Sequence, residues 1–239
     1  MTKVKKAILL SAGFGTRLRP LTNTVPKCLV PINGKPLLQI WLEQLSDNGI
    51  EEFLINSHYL SEKVHQFIEN SPFKNRVTIF NEAELLGTLG TLKATLSFWK
   101  GESVLVAHAD NLCLCTWSKF QQEFTSKNDN LLGTMMVFNT DVPQSCGIIE
   151  YNDKGLVTAF HEKVTNPPSN LANAAIYLFD PRVSLLIEQS SSQETDISLH
   201  LMPKLLGKLN FWQTDGYLRD IGSLVSLAKA EFDMIEMNI

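Results

Sequence analysis

A glycine-rich segment near the start of the chain carries residues suited to binding an anion. Residues 11–20 read Ser-Ala-Gly-Phe-Gly-Thr-Arg-Leu-Arg-Pro. Small residues let the backbone approach a ligand closely, and successive backbone N–H groups can form a concave site for an anion. Arg17 and Arg19 lie beside the glycines, and Lys27 follows shortly after them. Three cations on one loop suit the charge of a triphosphate, so the segment predicts a site for a triphosphate.

Two common phosphate-binding motifs do not fit this segment. The dinucleotide-binding fingerprint requires a third glycine where the chain has Leu18, and an acidic residue about twenty residues further on, which is missing. The Walker loop requires Gly-Lys-Ser/Thr, whereas Gly34-Lys35 is followed by Pro36. A plain turn between a strand and a loop is the remaining alternative. The neighbouring cations favour a phosphate site over a plain turn.

Two aspartates that lie far apart in the sequence are candidates for binding a metal ion. Asp110 follows the apolar run of residues 104–107, which predicts a position at the carboxyl end of a central strand, where open α/β sheets bind ligands. Asp220 lies near the end of the chain, before Ile221-Gly222. Magnesium binds one or two carboxylates together with substrate phosphates, and these two residues meet that requirement. Either aspartate alone would more simply cap a helix or a turn.

Several motifs in order resemble those of the sugar-1-phosphate nucleotidyltransferases, the family that makes nucleotide sugars. The glycine-rich segment continues to Leu21-Thr22, as in that family, and Pro26-Lys27 follows. The resemblance extends over essentially the whole chain, through Gly34-Lys35-Pro36-Leu37, Glu84-Leu85-Leu86-Gly87-Thr88, Asp110, Glu162-Lys163, Ser169-Asn170-Leu171-Ala172-Asn173, Glu194-Thr195-Asp196-Ile197 and Arg219-Asp220-Ile221-Gly222. It implies a reaction in which a sugar 1-phosphate attacks a nucleoside triphosphate and pyrophosphate leaves.

The resemblance implies a role for each of these residues. Arg17, Lys27 and Asp110 would be catalytic, with Arg17 at the β- and γ-phosphates and Lys27 at the α-phosphate. Asp110 and Asp220 would hold Mg²⁺. The nucleotide would bind Ser11, Ala12, Gly13, Gly15, Thr16, Arg17, Lys27, Glu82, Gly87, Thr88 and Asp110. The sugar phosphate would bind Asn111, Gly147, Glu162, Lys163, Asn173 and Asp220.

The identity of the base depends on one residue. A carboxylate at Glu82 would accept hydrogen bonds from N1–H and N2–H of guanine, which favours GTP. We therefore expect GDP-mannose to form from GTP and mannose 1-phosphate. The alternatives are a uridylyl- or thymidylyltransferase, a heptose 1-phosphate guanylyltransferase, or a non-catalytic regulator that binds nucleotide sugars on the same fold. Loss of Asp110 or Lys27 would have favoured the regulator, but both are present.

The elements that position these residues follow an α/β pattern. Apolar runs at residues 7–10, 52–56, 77–80 and 104–107 predict buried strands. Helical patterns at residues 36–48, 61–69 and 88–99 separate them, with Ser61 as a predicted N-cap. This alternation predicts an open, mainly parallel, Rossmann-like sheet flanked by helices.

After Leu132 the pattern predicts antiparallel strands. Residues 147–151 and 156–160 flank a turn-prone tetrapeptide, which predicts a hairpin, and residues 172–179 predict another strand. The pattern then predicts a helix at 196–209, a strand at 211–214 and a last helix from Ser223. We expect the antiparallel insertion to hold the sugar within a single catalytic domain that spans residues 1–239.

The composition excludes several classes of protein. The chain has 239 residues and a net charge of −4, which argues against nucleic acid as a partner. Its apolar runs are too short to span a bilayer. Four cysteines without a secretory leader predict reduced thiols in the cytoplasm.

We expect a monomer or homodimer of the short form of the family, which lacks a C-terminal β-helix.

Overall fold

Strands and helices alternate along the chain in the computed structural model, which describes residues 3–126 and 129–237. The strands are β1 (Lys6–Leu10), β2 (Pro31–Ile32), β3 (Lys35–Pro36), β4 (Glu52–Ser57), β5 (Val77–Asn81), β6 (Val104–His108), β7 (Asn111–Leu114), β8 (Gly133–Asn139), β9 (Gly147–Tyr151), β10 (Val157–Glu162), β11 (Leu171–Phe179), β12 (Leu209–Gln213) and β13 (Tyr217–Asp220). The α-helices are α1 (Leu37–Asp47), α2 (Ser61–Glu69), α3 (Gly87–Ala94), α4 (Leu96–Trp99), α5 (Trp117–Ser126), α6 (Val183–Glu188), α7 (Met202–Leu205) and α8 (Leu224–Glu236). In this described part of the chain, no helix has the length and apolar character needed to cross a membrane.

The predicted strands of the first half are confirmed as β1, β4, β5 and β6. Leu9, Ile55 and Leu105, from three of these strands, are completely buried. Strands that are covered on both faces need apolar residues at successive positions, which explains why the sequence shows continuous apolar runs there. The chain has a mixed α/β fold, as its sequence predicts.

Contacts within the chain divide it into two compact units, which are described separately below. Each unit is made of three segments of the sequence. Unit 1 comprises Met1–Lys6, Leu86–Ala107 and Thr116–Asp215, and unit 2 comprises Ala7–Leu85, His108–Cys115 and Gly216–Ile239. Both units therefore combine residues that are far apart in the sequence.

Unit 2 contains three of the four strands predicted for the first half of the chain, namely β1, β4 and β5. Strand β4 lies between β1 and β5, and it pairs with β5 in parallel from Phe53 opposite Val77 to Ser57 opposite Asn81. Helix α1 buries the apolar face that its sequence predicts. Helix α2 begins at Ser61, but its N-cap is Leu60, which has a positive φ of 52° and makes no side-chain cap. The prediction of Ser61 as the N-cap is wrong, because Ser61 is already the first helical residue.

A short antiparallel pair in unit 2 was not predicted. Strand β7 pairs with β13 from Leu114 opposite Tyr217 to Asn111 opposite Asp220. Each strand has only four residues, which is too few for a clear alternating pattern in the sequence. This pair brings the residues that follow Asp110 alongside the strand that ends at Asp220.

Unit 1 contains the predicted antiparallel strands. Strands β9 and β10 form the predicted hairpin, in which Gly147 lies opposite Glu162. The side chain of Asn152 accepts hydrogen bonds from the N–H groups of Lys154 and Leu156 and so stabilises the turn. Strand β11 confirms the prediction for residues 172–179. Strand β8, which pairs with β11 in antiparallel and with β12 in parallel, was not predicted.

Two helix predictions in unit 1 need correction. The predicted helix at 196–209 is a π-helical turn at Ile197–Leu201 followed by α7, and Leu209 already belongs to β12. It ends early because Leu206 adopts an extended conformation. The predicted helix at 88–99 is divided into α3 and α4 at Thr95, whose φ of −106° interrupts the helix. Helix α5 was not predicted.

The four cysteines of the chain are free thiols in the structure. Cys28 in unit 2 is buried. Burial raises the pKa of the Cys28 thiol to about 12, although a hydrogen bond with Ser11 acts in the opposite direction. Because the thiolate is the reactive form of cysteine, the Cys28 thiol is inert at neutral pH.

The start of α8 offers a test of local stability. The Oγ of Ser223 accepts a hydrogen bond from the Ser226 N–H at 3.1 Å, and the Oγ of Ser226 accepts one from the Ser223 N–H at 3.0 Å. We expect Ser223→Ala to lower the free energy of unfolding by about 1 kcal/mol, because it removes the N-cap. Urea unfolding followed by circular dichroism measures this change. The exposed loop residue Ser192 provides the control Ser192→Ala, and equal stability losses in the two variants would contradict the prediction.

Candidate active site

The glycine-rich segment of unit 2 is anchored at its first residue. The Ser11 N–H donates to Asn56 Oδ1 at 2.6 Å, and the Ser11 hydroxyl donates to the Asn56 carbonyl oxygen at 2.6 Å. Asn56 lies near the end of β4 and is only 4% exposed. The N–H of Ser11 is thus already engaged, while Gly13 and Thr16 in the same segment are exposed. The N–H groups of Leu18 and Arg19 are engaged as well, with the carbonyl oxygens of Gly15 and Thr16. An anion at this segment would therefore use N–H groups other than these three.

Gly15 brings the segment against Lys27. Its φ of 61° lies in the left-handed region, and a Cβ at this position would be 3.0 Å from Thr22 Cγ2 and 3.1 Å from Lys27 Cβ. The Thr22 hydroxyl also donates to the Gly15 carbonyl oxygen at 2.7 Å. Glycine is therefore required here both by the backbone conformation and by the close packing.

A cluster of four charged residues lies beside this segment. Lys27 Nζ is 2.7 Å from Asp110 Oδ2 and 3.6 Å from Asp220 Oδ1, and the Lys27 side chain is only 9% exposed. Arg17 Nη2 is 3.6 Å from Asp220 Oδ2, and the Arg17 side chain is 71% exposed. Arg19, the third predicted cation, is exposed and forms no ion pair with either aspartate among the described residues. The structure thus brings together Arg17, Lys27, Asp110 and Asp220.

Backbone contacts of unit 2 bring the two aspartates to the same place. The Ala109 N–H donates to the Leu10 carbonyl oxygen, and the Ile221 N–H donates to the Asp110 carbonyl oxygen at 3.1 Å. Asn111 lies opposite Asp220 in the β7–β13 pair. Although they are 110 positions apart in the sequence, both aspartates therefore lie beside Lys27.

Gly222 is a residue of this site to which the sequence motifs assigned no role. A Cβ at Gly222 would lie 2.4 Å from Asp220 Oδ2 and 2.7 Å from Arg17 Nη2. Any side chain would push one of these two groups away. The sequence could have indicated this role, because Gly222 lies two residues after Asp220 in a motif that resembles one of the family's motifs.

The Asp110 carboxyl is held in its ionised form. Burial alone would raise its pKa, but the interactions with Lys27 and His108 and the hydrogen bond from Lys27 outweigh burial and keep the pKa below its usual value. Its side chain nevertheless remains 38% exposed, so a ligand can reach it. The site therefore presents an ionised oxygen ligand at neutral pH.

The donor set matches what Mg²⁺ requires. Two carboxylates face the same ammonium group, and Mg²⁺ prefers oxygen ligands, of which one or two carboxylates suffice when phosphates complete the shell. Within residues 3–126 and 129–237, no group of three or more His, Cys, Asp or Glu side chains could hold a metal ion. These residues suit a metal ion that arrives with a phosphate-bearing substrate.

Glu82, the predicted base-binding residue, has a partner inside unit 2. Its Oε1 accepts a hydrogen bond from Asn56 Nδ2 at 2.8 Å, and its side chain is buried with 6% exposure. The Glu82 N–H donates to the Ser57 carbonyl oxygen. Glu82 is thus connected through Asn56 to Ser11, and its contact with the base stays a prediction.

Gly87 and Thr88, which belong to unit 1, also have partners within their own unit. A Cβ on Gly87 would lie 2.5 Å from the Thr195 carbonyl oxygen, which also accepts the Leu89 N–H at 2.8 Å. The Thr88 Oγ1 accepts the Ile197 N–H at 2.8 Å. These contacts pack Thr195 and Ile197 against the start of α3. The proposed approach of the base to Gly87 stays a prediction.

Three predicted sugar-binding residues meet on the hairpin of unit 1. A Cβ on Gly147 would lie 2.8 Å from Glu162 Oε2 and 2.4 Å from an atom of the Phe160 ring. Glu162 Oε1 is 3.1 Å from Lys163 Nζ, and the Lys163 side chain is 66% exposed. The pairing of the strands places Gly147 beside the Glu162 carboxylate, which forms an ion pair with the accessible ammonium group of Lys163.

Asn173 lies at an irregularity of β11 in unit 1. Its Nδ2 donates to the Tyr177 hydroxyl at 2.7 Å, and its Oδ1 accepts the Ala175 N–H at 3.0 Å. Ala175 has a φ of 55°, and the pairing with β8 shifts register there. Burial raises the pKa of the Tyr177 hydroxyl, and the nearby Glu162 carboxylate adds to that shift. Asn173 is fixed by its hydrogen bonds with Tyr177 and Ala175.

The chain matches the family model described as nucleotidyl transferase over residues 6–236. It belongs to that family. The mannose-1-phosphate guanylyltransferase catalytic subunit beta of Drosophila pseudoobscura pseudoobscura is 31% identical over 223 residues, which are 91% of this chain and 59% of that protein. The bifunctional protein GlmU of Methanocaldococcus jannaschii is 32% identical over 222 residues, 90% of this chain and 51% of that protein. The chain thus spans little more than half of the length of these relatives.

A solved structure shows the same fold. The putative glucose-1-phosphate thymidylyltransferase from Bacillus anthracis superimposes with a TM-score of 0.84, which covers 98% of this chain and 96% of that chain at 23% sequence identity. At this level of identity the similarity shows the fold and not the substrate. The Rossmann-like α/β fold and the family that the sequence motifs resemble are both confirmed.

Gly222 offers a test of the charged cluster. We expect Gly222→Ala to weaken the binding of a magnesium–nucleoside triphosphate complex about tenfold, because the new Cβ displaces Asp220 or Arg17 and weakens one charge-assisted contact. Isothermal titration calorimetry measures the dissociation constant.

The control variant is Gly101→Ala. A Cβ at Gly101 meets no atom within 4 Å, but its φ of 87° makes alanine strained. Gly101→Ala should therefore lower the stability of the protein without changing the dissociation constant. Unchanged binding in Gly222→Ala would remove Gly222 from the site.

Proposed function

We propose that the chain is a sugar-1-phosphate nucleotidyltransferase that forms GDP-mannose and pyrophosphate from GTP and mannose 1-phosphate. The observation that carries the proposal is the charged cluster, in which a buried lysine faces two aspartates beside an anion-binding segment. The name of the Drosophila relative supports the choice of GTP and of mannose 1-phosphate. Glu82 supports the choice of guanine because a carboxylate accepts from N1–H and N2–H of that base.

The reaction requires positioning and charge neutralisation rather than a general base. A phosphate oxygen of the sugar 1-phosphate attacks the α-phosphorus of the triphosphate in line, a new P–O bond forms, and the bond to the leaving pyrophosphate breaks. The attacking oxygen is already an anion at neutral pH, so no proton has to be removed first. Catalysis then depends on groups that hold the phosphates in line and stabilise negative charge.

The residues of unit 2 supply these groups. The Lys27 ammonium is fixed by Asp110 and Asp220, so it can face the α-phosphate without a loss of side-chain entropy on binding. The exposed guanidinium of Arg17 is free to reach the β- and γ-phosphates in a bidentate contact. Asp110 and Asp220 would hold Mg²⁺, which when bound neutralises phosphate charge.

The residues of unit 1 supply contacts for the sugar phosphate. Lys163 is an exposed cation for the phosphate, and Glu162 can accept hydrogen bonds from sugar hydroxyls. Because the family model covers segments of both units, we treat residues 1–239 as one catalytic domain. The cytoplasmic location and the monomeric or homodimeric state stay predictions of the sequence.

A matrix of substrates tests the proposal. The purified protein is incubated with Mg²⁺ and each of GTP, UTP, dTTP and ATP against mannose, glucose and heptose 1-phosphates, and pyrophosphate release is measured. GTP with mannose 1-phosphate should give the highest kcat/KM. A higher value with UTP or dTTP would assign a uridylyl- or thymidylyltransferase, and a higher value with heptose 1-phosphate would change the sugar. Binding without release of pyrophosphate from any pair would overturn the proposed activity.

Substitution of Lys27 tests the role of the buried cation. We expect Lys27→Met to lower kcat by at least about 100-fold, because a fixed charge at the reacting phosphate is lost. Steady-state pyrophosphate release measures kcat. The matched control is Lys119→Met, which removes a lysine that pairs with Asp215 at 2.8 Å on the surface of unit 1. Near-normal kcat in Lys27→Met would show that Lys27 is not catalytic.

Substitution of Lys163 tests the assignment of the sugar site. We expect Lys163→Ala to raise KM for the sugar 1-phosphate about tenfold, because one charge-assisted phosphate contact is lost. The KM for the nucleoside triphosphate should not change. Lys154→Ala, an exposed lysine at the turn of the same hairpin, is the control. An equal rise in both KM values would contradict a specific sugar-phosphate contact.

A further inference from the structure

A chain of buried hydrogen bonds connects the glycine-rich segment to Glu82. Asn56 stands in the middle of this chain, with its Oδ1 accepting from the Ser11 N–H at 2.6 Å and its Nδ2 donating to Glu82 Oε1 at 2.8 Å. Asn56 and Glu82 are 4% and 6% exposed. Buried polar groups in such a network are costly to leave unpaired, so the three residues hold one another in a single arrangement.

The carboxylate of Glu82 determines the orientation of the Asn56 amide. A carboxylate oxygen only accepts hydrogen bonds, so it must face the NH₂ group of the amide and not its oxygen. The amide oxygen is then directed to the Ser11 N–H. With the amide reversed, two acceptors would face each other at Glu82 and two donors at Ser11.

Two aromatic residues that directly follow β4 contact Phe14, further along the glycine-rich segment. The Phe14 ring lies edge-on to the His58 ring, with centroids 5.5 Å apart, and it lies 5.7 Å from the Tyr59 ring. His58 in turn contacts the Glu82 carbonyl oxygen through Nδ1 at 2.8 Å. Residues 56–59 thus hold the glycine-rich segment at two points, on either side of Gly13.

We propose that Asn56 is a positioning residue for the nucleoside triphosphate, and that Glu82 acts on the triphosphate through Asn56 and Ser11 by fixing the start of the anion-binding segment. This inference rests on the proposed function, since it assumes that the segment binds a triphosphate. A fixed segment presents its N–H groups in one geometry and avoids the entropy cost of ordering them when the ligand binds. Asn56 itself need not contact the nucleotide.

Replacement of Asn56 by alanine tests the connection between the network and the ligand. We expect Asn56→Ala to increase the hydrogen-exchange rate of the Ser11 amide roughly tenfold and to weaken GTP binding by roughly tenfold, because the Ser11 donor loses its buried acceptor. The dissociation constant for the sugar 1-phosphate should remain within about twofold of the wild-type value, because the sugar contacts lie elsewhere. Amide exchange resolved by NMR and calorimetry of GTP with Mg²⁺ measure the first two quantities.

Asn48→Ala is the matched control. Asn48 Nδ2 donates to the Gln44 carbonyl oxygen at 2.9 Å at the end of α1, so its loss removes a similar hydrogen bond away from the segment. This variant should leave both Ser11 exchange and GTP binding unchanged. If Asn56→Ala increased Ser11 exchange but left GTP binding at the wild-type value, Asn56 would be structural only and the proposal would be overturned.

An exchange of the two side-chain types tests the role of Glu82. Asn56→Asp alone places two carboxylates against each other and should weaken GTP binding. Adding Glu82→Gln restores the pattern, because the introduced amide donates to the introduced carboxylate, which still accepts from the Ser11 N–H. We expect the double variant to bind GTP at least about threefold more tightly than Asn56→Asp alone, because its amide and carboxylate pair again.

The double variant also separates this inference from direct recognition of guanine. If Glu82 acts only by reading the base, Asn56→Asp alone will bind GTP like the wild-type protein and the added Glu82→Gln will weaken binding, and the proposal fails. These measurements use binding and amide exchange, so they can be completed even if no pyrophosphate is released. Absence of turnover in the wild-type protein would overturn the proposed function and leave the test of Asn56 intact.

Discussion

The ion pair between Lys27 and the two aspartates is the interaction on which the candidate active site depends. A lysine side chain that is only 9% exposed is costly unless its charge is compensated. Asp110 and Asp220 supply that compensation from distant parts of the sequence. The need to neutralise one cation therefore accounts for the close approach of two carboxylates that would otherwise repel each other.

Glycine makes this concentration of charge possible. Gly15 lets the glycine-rich segment pack against the Lys27 side chain. Gly222 leaves room for the Asp220 carboxylate beside the Arg17 guanidinium. In both cases a Cβ on the glycine would lie within about 3 Å of a neighbouring side chain, that of Lys27 for Gly15 and those of Asp220 and Arg17 for Gly222. The glycines of these motifs thus have a geometric role in addition to the loop flexibility with which they are usually associated.

Glu82 illustrates how a residue type can suggest a ligand contact while the structure gives the side chain a partner within the protein. A carboxylate at this position suits guanine, but in the structure it accepts a hydrogen bond from Asn56. No local pattern indicates that Asn56 joins Glu82 to Ser11, because these residues belong to β4 and to the turns that follow β5 and β1. Thr88 is similar, since its hydroxyl accepts the Ile197 N–H within unit 1. Polar side chains near a proposed ligand site can have partners within the protein.

The sequence by itself determined the α/β class, most elements of the first half, the hairpin of unit 1 and the family, because each depends on local patterns or on ordered motifs. It did not reveal the β7–β13 pair or the role of Gly222, and its periodicity misplaced the end of the helix before β12. Periodicity reports which residues face the interior, but it does not report which distant residue each one meets. Only the tertiary structure decided that Asp110 and Asp220 share Lys27 and that Asn56 holds Ser11, because those contacts join residues 45 to 193 positions apart.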